Sequence, residues 1–320
     1  MNSLRIVFFG TSEFAVPSLE AIAGTSHSII AVVTQPDKPQ GRGRQLALSP
    51  VKRKALELGL QVLQPKRVRS DKFIEKLREL SPDLIALASF GQIIPQTLLD
   101  LPPLGPINVH GSLLPAYRGA APIQRAIMAG DRVTGITTMW MEAALDTGDI
   151  LLQASLPIED NDTAGTLTVR MADLGARLLI ETIGGLINRS ITRIPQDDSL
   201  ATLAPALTTF DSQINWNNTS TAISCQIRGV NPKPGAFTLI ADRKIKFWSA
   251  YDAGSSSTAE PGCILHIDKQ SNGVEVAAGS NTVLRICEAQ PENGRRMDAS
   301  AWARGMRLKA GDQFINFPAV

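Results

Sequence analysis

Leu84-Ile85-Ala86-Leu87-Ala88 and Pro106-Ile107-Asn108-Val109-His110 are apolar at nearly every position and are bounded by turn-forming residues. Runs this short and this apolar suit strands covered on both faces better than core helices. Residues 6–9 and 29–33 read the same way. Helical patterns lie between the runs: Phe14, Leu19 and Ile22 behind a Thr11 or Ser12 cap, then 49–58 and 70–80. Strands alternating with helices predict a doubly wound, mainly parallel α/β sheet. Residues 137–141 and 149–155 extend it. Asp162 or Thr163 then caps a long helix whose apolar stripe runs through Leu167, Met171, Leu174, Leu178 and Leu186.

After residue 188 the periodicity stops. The interval 189–207, with Pro195, Pro205 and many Ser and Thr residues, reads as a linker. Beyond 208 a helix over 216–228 precedes short strands. A hairpin joins 237–241 to 244–250 through Asp242-Arg243, and 264–267, 273–278 and 282–289 follow. Such a series suggests a small barrel. The expected organisation is a sheet domain over 1–188, a linker over 189–207 and a barrel over 208–320.

With 320 residues, 43% hydrophobic and 19% charged, the chain has an ordinary globular composition. No run is long enough to span a bilayer, and residues 6–9 suit a first strand better than a signal peptide, so a cytoplasmic protein is expected. Cys225, Cys263 and Cys287 lack CxxC spacing, which argues against a disulfide framework or a metal site. Gly10 opens GTSEFA rather than a GxGxxG loop, and no Walker sequence occurs, so neither nicotinamide nor nucleoside triphosphate binding is supported. The net charge of +2 is uninformative. Its distribution is not: between residues 35 and 54 Lys38, Arg42, Arg44, Lys52, Arg53 and Lys54 face Asp37 alone. That cluster suits a phosphate-bearing partner or a solvated loop.

Asn108 and His110 fall at the carboxyl end of a strand, where open parallel sheets bind ligands, and alternation puts both on one face. A carboxamide beside an imidazole can donate to a carbonyl oxygen that is gaining charge; a strand-end cap is the alternative. Asp146, in Leu145-Asp146-Thr147-Gly148-Asp149, either orients the imidazole or forms a turn.

The run INVHGSLLPAYRGAAPIQRAI followed by LDTGD resembles the formyltransferases that use 10-formyltetrahydrofolate. FFGTSEFAVPSL, VVTQPDKPQGRGRQLALSPVK, SFGQIIP and CQIRGVNPKPGAF resemble the branch of that family that acts on methionyl-tRNA. The resemblance implies a Rossmann-like formyltransferase domain followed by an OB-type barrel. It implies catalytic roles for Asn108, His110 and Asp146, with protonated His110 and Asn108 stabilising the oxyanion. It implies folate contacts from Ser112, Leu113, Leu114 and Pro115 and from the loop at Phe90 and Gly91. The tetrahydrofolate would be released after transfer to initiator methionyl-tRNA. Lys38, Arg42, Arg44, Arg228 and Lys244 are the expected tRNA contacts. The family often carries lysines where this chain has Ala206 and Thr209, and a tryptophan where it has Lys233. No metal is expected, and a monomer is the default.

Overall fold

A computed structural model describes residues 3–40, 45–268 and 273–317. From the N-terminus run β1 (Arg5–Gly10), α1 (Val16–Ala23), β2 (Ser28–Val33), β3 (Lys38–Gln40), β4 (Gln45–Ala47), α2 (Pro50–Glu57) and β5 (Val62–Leu63). Next come α3 (Asp71–Leu80), β6 (Leu84–Ala88), α4 (Gln96–Leu99), β7 (Pro106–His110), α5 (Pro122–Ala129), β8 (Val133–Trp140), β9 (Ile150–Pro157) and α6 (Ala164–Ile187). The chain divides into two units. One holds Met1–Pro122, Val133–Pro157 and Thr168–Ala204; the other holds Ile123–Arg132, Ile158–Leu167 and Pro205–Val320.

The first unit is built on a seven-stranded sheet ordered β5-β2-β1-β6-β7-β8-β9. Its strands are parallel as far as β7, and β8 alone is reversed, pairing antiparallel with both β7 and β9. β1, β6 and β7 are buried at almost every residue, as double coverage requires. The strand order reverses beside β1, so the β1 and β6 ends flank the crevice where such sheets bind ligands. α2 starts where Ser49 Oγ accepts from Lys52 N at 3.0 Å, and the Thr163 hydroxyl accepts from Thr166 N in the first turn of α6. Ser12 precedes a 3₁₀ turn and makes no cap bond; its hydroxyl bonds Ser89 instead. The interval 193–204, expected as part of a linker, pairs with the first unit: Ile194 bridges Ile150, and Arg118 bridges Leu203.

The second unit adds α7 (Ser220–Gly229), β10 (Ala236–Ile240), β11 (Arg243–Ser256), β12 (Ile264–Asp268), β13 (Gly273–Ala277), β14 (Thr282–Pro291), β15 (Met297–Asp298) and α8 (Ala299–Gly305). The antiparallel order is β10-β11-β14-β13-β12, with β15 beside β14. The expected helix begins four residues later than its apolar pattern, because the Thr219 hydroxyl accepts from Ala222 N and caps it there. The hairpin turns at Ala241-Asp242 rather than Asp242-Arg243, with φ of 47° and 60°, the left-handed pair that matches strand twist. Residues 312–315 reach both edge strands: Ile264 N donates to Asp312 O, and Ile315 N donates to Leu239 O, each at 2.8 Å. The tail thereby joins β12 to β10. Trp216, Phe247, Trp302 and Phe314 interlock in this core, with Trp216 stacked on Phe314 at 5.1 Å.

No helix among the described residues is long and apolar enough to cross a membrane. Within the second unit Arg125 clamps Asp211 through two bonds of 2.5 and 3.1 Å. Burial works to raise the Asp211 carboxyl, but the hydrogen bonds from Arg125 and Thr208 outweigh it and hold the pKa below its ordinary value. A carboxyl lowered on folding stabilises above its unfolded pKa and loses that contribution as pH falls through the folded one. Arg125→Ala is therefore expected to cost ~1–3 kcal/mol near neutrality. The gap between variant and parent melting curves should narrow once the pH drops below about 4.

Candidate active site

β7 ends at the crevice with Asn108 and His110 on one face and Val109 turned to the other, against Gly175 of α6. Both polar side chains are buried. His110 Nε2 lies 3.0 Å from Tyr117 O, and since a carbonyl only accepts, this nitrogen carries a proton and donates. Nδ1 faces Asp146 Oδ2 at 3.6 Å, too long for a direct hydrogen bond. The same carboxylate oxygen accepts from Gly119 N at 2.9 Å. Turn 146–148 thus folds back onto the end of β7. No described residue hydrogen bonds the Asn108 carboxamide, which leaves its N–H groups open to a ligand oxygen.

The turn after β7 hangs on Thr137 of β8, which lies opposite His110 in the ladder. The buried Thr137 hydroxyl donates to Ser112 O at 2.7 Å and accepts from Leu114 N at 3.0 Å. Gln153 of β9 adds bonds to Leu114 O and to the same hydroxyl. Ser112, fully buried, turns its own hydroxyl to Ala116 O, so that side chain is structural. Leu114 is buried, while Leu113 and Pro115 are half-buried. At the neighbouring strand end the Phe90 ring packs edge-on against Phe9 at 5.1 Å, and its carbonyl accepts from Thr11 and Gln35. That ring is therefore closed to a ligand, whereas Gly91, at φ 87°, presents only backbone.

Two glycines allow the loops to meet. A Cβ on Gly148 would lie 1.8 Å from Trp140 O, and one on Gly119 would lie 2.6 Å from Ala204 O. Sequence patterning identified Asn108, His110 and Asp146 but missed Tyr117, Gly119, Thr137 and Gln153. Of these, only Thr137 left a signal, as a polar residue inside an apolar strand.

Arg42 and Arg44 lie outside the described residues. The segment around them leaves β2 and returns at α2 through two ties. Thr34 Oγ1 meets Ser49 Oγ at 2.8 Å, and Lys52 Nζ donates to Asp37 Oδ2 at 2.5 Å. The bonds from Lys52 and Gln64 hold the Asp37 carboxyl below its ordinary pKa. β3 and β4 form an antiparallel pair, where an extended loop was expected, and Lys38 is exposed.

In the second unit Arg228 is half-buried and donates to Asp162 O at 3.0 Å, so its guanidinium is engaged internally. Lys244 Nζ sits 3.6 Å above the Phe237 ring. Lys244, Lys246, Phe237 and Lys233 line a cavity of about 500 Å³. Burial, then the positive charge of Lys244 and Arg296, lowers the Lys246 pKa. Arg296 also stacks 3.7 Å over Trp248. Ala206, Thr209 and Lys233 are exposed.

The family model described as formyl transferase matches residues 4–183, and the formyl transferase C-terminal domain matches 206–307. The chain is 47% identical to a methionyl-tRNA formyltransferase of Ruminiclostridium cellulolyticum, over 97% of this chain and 99% of the relative. It is 43% identical to that of Bacillus subtilis over 96% of each. Among solved structures, an N-formyltransferase of Helicobacter canadensis, in complex with folinic acid and dTDP-3-aminofucose, shares the fold. Its TM-score is 0.66 at 20% identity, covering 88% of this chain and 98% of the other. Identity and coverage at this level, on a chain that carries Asn108, His110 and Asp146 at one strand end, place it in the methionyl-tRNA formyltransferase family of formyl transferases.

Proposed function

We propose that this protein moves the formyl group of 10-formyltetrahydrofolate onto the α-amino group of initiator methionyl-tRNA, acting as a cytoplasmic monomer. The observation that carries the chemistry is the Asn108 carboxamide, buried two residues before His110 on one strand face and without a hydrogen-bond partner among the described residues, a fitting donor for a formyl oxygen. The folate supplies an activated formyl carbon. The chain's own residues do the rest. Asn108 donates an N–H to the oxygen that gains negative charge as the amine adds, and such donors act strongly in a site with little water. The Tyr117 carbonyl fixes the His110 ring through Nε2, so Nδ1 is the nitrogen left for the reaction. Nδ1 and Asp146 Oδ2 together form the pair through which the amine's proton leaves, to be returned to the folate nitrogen as its bond to the formyl carbon breaks and tetrahydrofolate departs. An unperturbed α-amino group titrates near ~7.7–8.0, so no strong base is needed. Leu113, Leu114, Pro115 and the Gly91 backbone bound the folate side.

The acceptor assignment is supported by the high identity to relatives named for this substrate and by the cations of the second unit. Burial lowers the Lys246 pKa first, and Lys244 and Arg296 lie close enough to lower it further, while Lys233 lines the same cavity, a grouping of cations that suits phosphate. Lys38, Arg42 and Arg44 supply the contacts of the first unit.

The protein is incubated with 10-formyltetrahydrofolate and either methionyl-tRNA, free methionine or buffer. Formyl transfer is expected with methionyl-tRNA alone, and formyl release without tRNA sinks the reading. Asn108→Ala and His110→Ala are each expected to lose ~10²–10³ in kcat. Replacing Arg42 and Arg44 together should raise KM for methionyl-tRNA and leave that for folate unchanged. Lys244→Glu with Lys246→Glu should weaken tRNA binding and flatten its dependence on salt, read from binding titrations at several salt concentrations.

A further inference from the structure

Asp146 occupies the left-handed region at φ 54°, a conformation that asparagine and aspartate tolerate better than most residues but that still needs surroundings to hold it. Its carboxylate has one backbone donor, Gly119 N, and Gly119 itself follows Arg118 on a loop outside the sheet. The two loops that meet at the reacting groups therefore need a common anchor. Gln196 is placed to be that anchor. Its Nε2 donates to Asp146 O at 2.9 Å and to Gly148 O at 2.7 Å. Its Oε1 accepts from Arg118 Nε at 3.0 Å and from a terminal guanidinium nitrogen at 2.8 Å. All four hydrogen-bonding positions of the carboxamide are filled.

Arg118 is fixed in turn. Its guanidinium is buried and also reaches Asp198 Oδ1, while its backbone pairs with the strand-like run 202–204 through Arg118 N to Thr202 O and Ala204 N to Arg118 O. Tyr117 N donates to Thr202 Oγ1, next to the carbonyl that receives His110 Nε2. One stretch of chain, 196–204, thus holds both the loop that carries the His110 acceptor and the turn that carries Asp146.

We infer that Gln196 is a positioning residue for formyl transfer, bridging Arg118 to the Asp146 turn and setting the separation between His110 and Asp146. This rests on the catalytic reading of that pair. Gln196 touches no reacting atom. Its effect falls on kcat, because a small displacement of Asp146 changes the reacting geometry without altering the surfaces that bind folate or tRNA.

The test compares full-length Gln196→Met, which keeps the side-chain length and loses both donors, with Gln196→Glu, which keeps the acceptors for Arg118 and loses the same donors. Both are expected to lower kcat ~10–100-fold. KM for methionyl-tRNA and for 10-formyltetrahydrofolate should stay within about twofold of the parent, and the melting temperature should fall by about a few degrees with the lost hydrogen bonds while the protein stays folded at the assay temperature. Asp146→Asn and His110→Ala are run alongside. If these two lose activity while Gln196→Met and Gln196→Glu keep parental kcat, the bridge has no positioning role and the inference is overturned. A parental kcat in Gln196→Glu alone would also overturn it, since the Arg118 pairing would then suffice. Retained activity in Asp146→Asn and His110→Ala would instead remove the catalytic reading and the inference with it. Should Gln196→Met fail to fold, Gln196→Glu reads the same loss of donors.

Discussion

The turn that leaves β7 buries backbone groups which no strand ladder can satisfy, and the Thr137 hydroxyl satisfies them. Ser112 O and Leu114 N would otherwise sit in the interior without partners, at a cost of ~1–3 kcal/mol each. Because Thr137 lies opposite His110 across the β7–β8 ladder, the residue that holds the turn is also the ladder partner of that histidine. The antiparallel direction of β8 makes this possible. Its approach brings Thr137, and behind it Gln153 of β9, level with the carboxyl end of β7. The other groups of the site take their places around that turn: the Tyr117 carbonyl at the Nε2 edge of the His110 ring, Gly119 N toward Asp146, and the Ser112 hydroxyl within the loop.

Much of this architecture is legible in the sequence. Strands buried on both faces announce themselves by composition, so β1, β2, β6 and β7 and their parallel arrangement follow from apolar runs. The reversal of β8 does not, since a chain of alternating elements carries no local mark of strand direction. Asn108 and His110 could be assigned to one face because the period of a strand is two. The approach of Asp146 could not, because it depends on Gly148 fitting under Trp140 and on bonds from residues some fifty positions later. Gln196 was invisible for a related reason. A stretch without periodicity reads as a linker whether it is solvated or pinned by side chains, and only long-range contacts separate the two cases.

The second unit shows the same division. Its short strands and turns were evident, whereas helix α7 started later than its apolar pattern because a threonine hydroxyl decided the boundary. Residues 312–315 join the two edge strands mainly by main-chain hydrogen bonds, to which Thr238 Oγ1 adds one to Ile315 O, and main-chain pairing leaves no trace in side-chain pattern. Lys246 was one cation among many on paper. Its depressed pKa distinguishes it, and that depression arises from burial and from neighbours brought together by the sheet.

Gly119 and Gly148 give the site an unusual mutational profile. Each stands where an added methyl group would overlap a main-chain carbonyl, so each is required by the closeness of the loops and not by chemistry. A substitution library scored by activity alone would rank both beside the residues that react, and would widen the apparent catalytic centre by residues that contribute no reacting atom. Scoring the same library for folded protein as well as for turnover would separate a steric requirement from a chemical one, and would draw the boundary of the active site more tightly than activity can.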